Sequence, residues 1–162
     1  MFNKKLAIVG ASGAVGRVFI ELLDEMYPGT KDLFLVASKR SAGRSMFCGK
    51  QEFIIQDIEE FDFSQVEIAF FSAGAETAEK YAPIAVSKGC TVIDNSSQFR
   101  TDLDKPLIVP EVNSKDLENF KLPGIIANPN CSTAQLVVAL KPIHDLFKIK
   151  RVDVASYQSV SG

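Results

Sequence analysis

The chain has 162 residues, 46% of them hydrophobic, enough for one full domain and part of a second around an ordinary core. A formal charge of -2, with lysines and arginines scattered rather than striped, argues against nucleic acid as a partner. No apolar run is long enough to span a bilayer, and Met1-Phe2-Asn3-Lys4-Lys5 leads into a strand-like segment rather than a signal-peptide core, so the expected location is the cytoplasm and no membrane partner is expected.

Short apolar runs rich in β-branched residues alternate with helical patterns, which predicts parallel βαβ units and an α/β, Rossmann-type doubly wound, mostly parallel sheet. Residues 5–9 are the first strand. Residues 14–26 carry Val15, Val18, Phe19, Leu22, Leu23 and Met26 on one side, a helical spacing that Tyr27-Pro28-Gly29 ends. The second strand is 33–37, residues 38–49 read as turn-rich and charged, and 53–56 is a short strand. Residues 66–72 are continuously apolar, as a strand covered on both faces should be. A helix over 75–87 and a strand over 91–94 follow, with Gly89 as helix terminator. The pattern loosens over 96–123 into a long connection with a short strand at 107–109 and a helical turn from Ser114. A strand over 124–127 precedes a helix that starts at Cys131 and ends near Lys141, where Pro142 interrupts it. Residues 152–160 are the last strand. The expected division is a nucleotide domain over 1–128 and the start of a catalytic and dimerisation domain over 129–162.

The first strand–helix junction reads Gly10-Ala11-Ser12-Gly13-Ala14-Val15-Gly16. Two glycines keep such a turn tight and admit a pyrophosphate to the backbone, and the third permits close helix packing, with phosphate charge facing the helix N-terminus. Its G-x-x-G-x-x-G spacing differs from the G-x-G-x-x-G dinucleotide fingerprint, and a structural tight turn is the alternative. The end of the second strand discriminates between nucleotides. An NAD site usually carries a carboxylate there for the ribose 2′-OH, whereas Ser38-Lys39-Arg40-Ser41-Ala42-Gly43-Arg44 has none. Arg40 can fork a phosphate while Ser38 and Ser41 donate to it, so the loop predicts NADP; a solvated basic loop is the alternative.

Cys131, in Asn128-Pro129-Asn130-Cys131-Ser132-Thr133, stands where a new helix begins. Unpaired backbone N–H groups and the positive end of the helix dipole favour a thiolate there, which makes a nucleophile; a small buried hydrophobe is the competing reading. Asn130 beside it suits either helix capping or donation to a developing oxyanion. Cys48 and Cys90 read as core or edge residues. Three cysteines without C-x-x-C spacing suggest neither a disulfide framework nor a zinc site, and no metal is expected. Glu76 and Glu79 read as a solvated helix face.

These strings are joined, in order, by Phe71-Ser72-Ala73-Gly74, Asp94-Asn95-Ser96-Ser97-Gln98-Phe99-Arg100, Val109-Pro110-Glu111-Val112-Asn113 and Gln158-Ser159-Val160-Ser161-Gly162. Together they resemble the N-terminal half of aspartate-semialdehyde dehydrogenase over the whole chain; one departure is Arg44, where many relatives have lysine. The resemblance implies NADP-dependent, reversible conversion of aspartate semialdehyde and phosphate to aspartyl phosphate, serving lysine, threonine and methionine synthesis. It implies Cys131 as nucleophile, Asn130 and Gln158 as substrate-orienting groups, and Arg100 as the phosphate ligand together with Asn95. Asn95 also lines the cofactor with Ser72, Ala73 and Gly74, and Ser161 and Gly162 begin a glycine turn beside the nicotinamide. It further implies a homodimer or homotetramer, and a base histidine and substrate-carboxylate arginine supplied by a C-terminal half.

His144, the single histidine, lies about 20 Å from Cys131 if the intervening residues are helical at about 1.5 Å each, too far for proton transfer. It reads as structural or surface. Two alternatives stay open at this stage. N-acetyl-glutamyl-phosphate reductase shares the acyl-phosphate chemistry, but its cysteine motif resembles Asn-x-Gly-Cys followed by an aromatic. The other is a non-catalytic NADP-binding or regulatory module in which the cysteine is structural or redox-sensing.

Overall fold

The computed structural model describes residues 3–157. In chain order they form β1 (Leu6–Val9), α1 (Ala14–Met26), β2 (Leu33–Ala37), β3 (Ser45–Cys48), β4 (Gln51–Asp57), β5 (Ile68–Phe71), α2 (Ala75–Ser87), β6 (Thr91–Asp94), α3 (Pro110–Asn113), β7 (Ile125–Ala127) and α4 (Cys131–Phe147). The strands make one sheet in the order β3-β4-β2-β1-β5-β6-β7, parallel except for the β3–β4 pair at one edge. The α/β, mostly parallel class expected from the alternating pattern is the class observed.

Alternation along the strands divides the core. Ala7 and Val9 of β1 face the same side as Phe71, Val92 and Ile125, and this side meets α2 through Ala78, Ala82 and Ala85. Small residues at helical spacing let α2 lie close to the sheet, while Phe61 and Phe63 fill the remaining space. Leu6 and Ile8 face the opposite side, where Ile20 and Leu23 of α1 pack with Leu33, Leu35 and Ile55. Phe19 of α1 stacks on Phe70 of β5 with ring centroids 4.1 Å apart.

Four expectations differ from what is observed. Residues 45–48, read as turn, form β3, an edge strand that pairs antiparallel with β4 from Ser45↔Ile54 to Cys48↔Gln51. The strand expected at 107–109 reduces to one bridge, Leu107 to Ala127, because Pro110 opens α3 and Val109 becomes its N-cap. Helix α4 continues through Pro142 to Phe147. The proline deletes a single bond, to the Val138 carbonyl, and an exposed position leaves its ring room. Residues 152–157 carry no regular structure, so the last strand is absent over that part; 158–160 lie outside the described residues. No described helix is long and apolar enough to cross a membrane.

Candidate active site

The chain runs from β1 outward through β2 to β4, then returns to the other side of β1 with β5, β6 and β7. The carboxyl ends of β1 and β5 therefore flank a point where the winding direction reverses, and a crevice opens there. Gly10, at φ 89°, closes its near wall. A Cβ on Gly10 would stand 2.4 Å from the Ser72 carbonyl oxygen, so the turn after β1 and the Ser72–Gly74 turn touch backbone to backbone. Gly16 has a different reason: its Cβ would lie 2.3 Å from the Gly10 carbonyl oxygen, so glycine lets α1 press on the turn it follows.

Helix α1 has no side-chain cap at Gly13 and no acidic residue in its first turn. Its leading N–H groups thus have no side-chain acceptor of their own. Ser12 donates from Oγ to Ser41 Oγ at 3.1 Å, which ties this turn to the basic loop after β2. Ser41 is buried and accepts in that contact, whereas Ser38, Lys39, Arg40 and Arg44 are exposed. The exposed side chains of the loop are thus serine and cations, without a carboxylate from 38 to 44. A nicotinamide dinucleotide fits the groups present: a helix N-terminus without a side-chain cap, and exposed Ser38, Lys39 and Arg40 at the end of β2.

The second half of the site gathers at the ends of β6 and β7, which pair so that Asp94 lies beside Ala127. The next residues, Asn95 and Asn128, then stand side by side. Asn128 donates from Nδ2 to Asn95 Oδ1 at 2.6 Å. The Arg100 guanidinium spans both strand ends, donating from Nε to the Asn128 carbonyl at 2.9 Å and from Nη2 to the Asn95 carbonyl at 3.0 Å. Two of its five N–H donors are thereby used, and three remain for an anion. Beneath it lies Asp94, fully buried, whose carboxylate accepts from Ser96 Oγ at 2.7 Å and from the Ser96 N–H at 3.1 Å. Burial pushes the Asp94 carboxyl up from its ordinary value, and the Ser96 hydrogen bonds and the Arg100 charge pull it back.

Three residues beyond Asn128, Cys131 opens α4 as its first residue and is exposed. Asn130 is the N-cap: its Oδ1 accepts from the Ser132 N–H at 3.0 Å and from Ser132 Oγ at 2.6 Å, with Cys131 Sγ at 3.9 Å. Capping occupies the oxygen of Asn130 and leaves its Nδ2 available as a donor. Cys48 and Cys90 are buried, as read from the sequence. Glu76 and Glu79 are exposed, and so is His144, on the last turn of a helix that is continuous from Cys131.

The structure thus groups Gly10 to Gly16 with Ser72, Ala73 and Gly74 on one side, and Asn95, Arg100, Asn130 and Cys131 on the other. Gln158, Ser161 and Gly162 lie outside the described residues. Asn128 and the Asp94–Ser96 pair were not singled out from the sequence as site residues. The signal for Asn128 is the β6–β7 register, which residue types alone do not carry. No group of three or more His, Cys, Asp or Glu side chains able to hold a metal occurs among the described residues.

Comparison with known proteins accords with this arrangement. The profile of the semialdehyde dehydrogenase NAD binding domain matches residues 5–120. The aspartate-semialdehyde dehydrogenase of Shewanella violacea is 56% identical over 158 residues, covering 97% of this chain and 46% of that protein. The crystal structure of aspartate semialdehyde dehydrogenase II from Vibrio cholerae, complexed with ASA, superposes with a TM-score of 0.93 at 52% identity, covering 99% of this chain and 53% of that one. The Candida albicans enzyme with NADP superposes with a TM-score of 0.76 at 31% identity, covering 91% and 48%. The chain spans about half the length of the curated relatives it matches. With most of its residues matched by one family profile and its strand ends arranged around a dinucleotide crevice, the chain belongs to the semialdehyde dehydrogenase family, whose NAD-binding domain it carries.

Proposed function

We propose that the chain supplies the cofactor site and the nucleophile of an NADP-dependent, phosphorylating aspartate-semialdehyde dehydrogenase. The observation that carries this reading is the exposed thiol of Cys131 at the head of α4, three residues after a strand end that Arg100 and Asn95 grip. The names of the relatives support the substrate, and the acid-free loop from Ser38 to Arg44 supports NADP, which the Candida albicans structure contains.

In the oxidative direction the Cys131 sulfur adds to the aldehyde carbon, forming a C–S bond while the carbonyl electrons move to oxygen. Asn130 Nδ2, the free end of the capping amide, suits the oxyanion that develops. Bound NADP supplies the two-electron acceptor, held by the N–H groups of α1, by the Ser72–Gly74 turn and by Ser38 and Arg40. The aldehyde carbon, oxidised, remains on sulfur as a thioester. Arg100 holds phosphate with its three unused donors; a phosphate oxygen attacks the thioester carbon, and the C–S bond breaks with its electrons returning to Cys131. Biosynthesis runs the sequence in reverse, toward lysine, threonine and methionine.

Proton transfer at Cys131 and at the oxyanion requires a general acid–base group. His144 lies about 20 Å along α4 and cannot serve. In this reading the base, the arginine for the substrate carboxylate, and Gln158 complete the site in the full-length cytoplasmic enzyme, a homodimer or homotetramer. Residues 129–162 then open its catalytic and dimerisation domain. Exposed apolar side chains on α4, Leu146 at 76% and Phe147 at 77%, support burial of this helix against further protein.

The test is phosphate-dependent NADPH formation from aspartate semialdehyde. Full-length protein is expected to turn over, Cys131→Ala to lose at least roughly a thousandfold in kcat, and the 162-residue chain alone to show no measurable rate. Sustained turnover by Cys131→Ala or by the isolated chain contradicts the proposal.

A further inference from the structure

Asn128 has a role in this site that neither its residue type nor its place in the motif suggests. All of its polar groups but one are engaged at the junction of β6 and β7. Its N–H donates to the Asp94 carbonyl at 2.8 Å, its carbonyl accepts from Arg100 Nε at 2.9 Å, and its Nδ2 donates to Asn95 Oδ1 at 2.6 Å. Asn95 is held on its other sides as well, with its N–H on the Phe71 carbonyl at 2.9 Å and its carbonyl on Arg100 Nη2 at 3.0 Å. What remains of Asn95 is its Nδ2, which has no partner among the described residues.

An amide side chain is ambivalent: turned one way it offers two N–H donors, turned the other an oxygen. At Asn95 the choice is made by Asn128, whose Nδ2 claims the oxygen and is itself kept that way round by the Pro129 carbonyl at 3.4 Å, which only a donor can meet. We propose that Asn128 is a positioning residue that fixes the Asn95 amide with its donors toward the ligand, beside the three free donors of Arg100. The two residues together then present an all-donor surface, which suits the oxygens of phosphate or of an acyl phosphate and rejects a group that can only donate. Asn128 itself touches neither substrate nor thiol. Its influence passes through Asn95, and the inference rests on the proposed role of Asn95 and Arg100 in holding phosphate.

Asn128→Asp retains size and shape but cannot donate; Asn95 must then turn and give its own Nδ2 to the new carboxylate, leaving its oxygen toward the ligand. Asn128→Ala removes the donor without adding charge. In the full-length enzyme both changes are expected to raise KM for inorganic phosphate, by about tenfold for Asn128→Ala and more for Asn128→Asp. The rate of Cys131 alkylation by iodoacetamide in the absence of phosphate is expected to stay within about twofold of wild type. A general loosening of the strand ends would instead change all of these together. Protection of Cys131 from iodoacetamide by inorganic phosphate gives a second reading of the same affinity without turnover, and it should weaken in parallel. A wild-type protein that phosphate protects but that does not turn over aspartate semialdehyde refutes the proposed reaction and leaves Asn128 to be judged by protection alone. Equal phosphate dependence in wild type and both variants, in KM or in protection, or no protection of the wild type at all, overturns the role of Asn128.

Discussion

Cys90 lies fully buried beneath α2, and burial pushes its thiol up to about 12 from an ordinary 9.0. Because the folded value exceeds the unfolded one, its contribution to stability is complete below about pH 9 and is lost as pH rises toward about 12. Thermal unfolding of wild type and Cys90→Ala should therefore show a gap at pH 8 that narrows by pH 11, where other groups titrate equally in both. A gap that widens with pH contradicts this environment. Cys48, raised by burial and then by the Asp24 charge, shares the inert character. Cys131 differs from both in being exposed at a helix head. That contrast leaves Cys131 as the one accessible sulfur of the three.

Among the elements, the turn between β1 and α1 carries the most stringent backbone demand. Gly10 combines φ 89° with a backbone so near that a Cβ added there would stand 2.4 Å from the Ser72 carbonyl oxygen, and neither can relax without moving β5's outgoing turn. Gly10→Ala is expected to cost at least about 2 kcal/mol of stability and to weaken NADP binding by more than about tenfold, measured by thermal unfolding and by titration calorimetry. Unchanged binding would remove the turn from the cofactor site. This turn was readable from residue types because the positive φ of Gly10 and the packing of Gly16 on the Gly10 carbonyl are demands within the segment, although the Ser72 approach is not. Other features were not. The strand Ser45–Cys48 hides in a charged segment because an edge hairpin needs only a partner, which β4 provides. Pro142 reads as a stop because propensity weighs one residue, whereas the observed helix loses a single hydrogen bond and continues. The Ser12–Ser41 contact, which ties the glycine turn to the basic loop, joins residues 29 apart and is likewise a tertiary fact. The Asn95–Asn128 contact depends on register between β6 and β7, a tertiary fact that periodicity does not encode.

At the scale of the whole molecule, the sheet puts every strand end that bears a proposed ligand on one edge, with the proposed cofactor turn and the proposed nucleophile brought there by β1 and β7. The sides away from that edge are less complete. Val18 at 52% and Met26 at 66% exposure leave an apolar stripe on α1, and α4 carries another near its end. The central claim, that this arrangement serves covalent chemistry at Cys131, is tested most directly by trapping the acyl enzyme. Full-length protein is mixed with aspartate semialdehyde and NADP without phosphate, quenched in acid and mapped by mass spectrometry. The account predicts an aspartyl adduct on the peptide containing Cys131, removed by added phosphate, with Cys48 and Cys90 unmodified; turnover with no adduct there, or with an adduct on Cys48 or Cys90 alone, would contradict it.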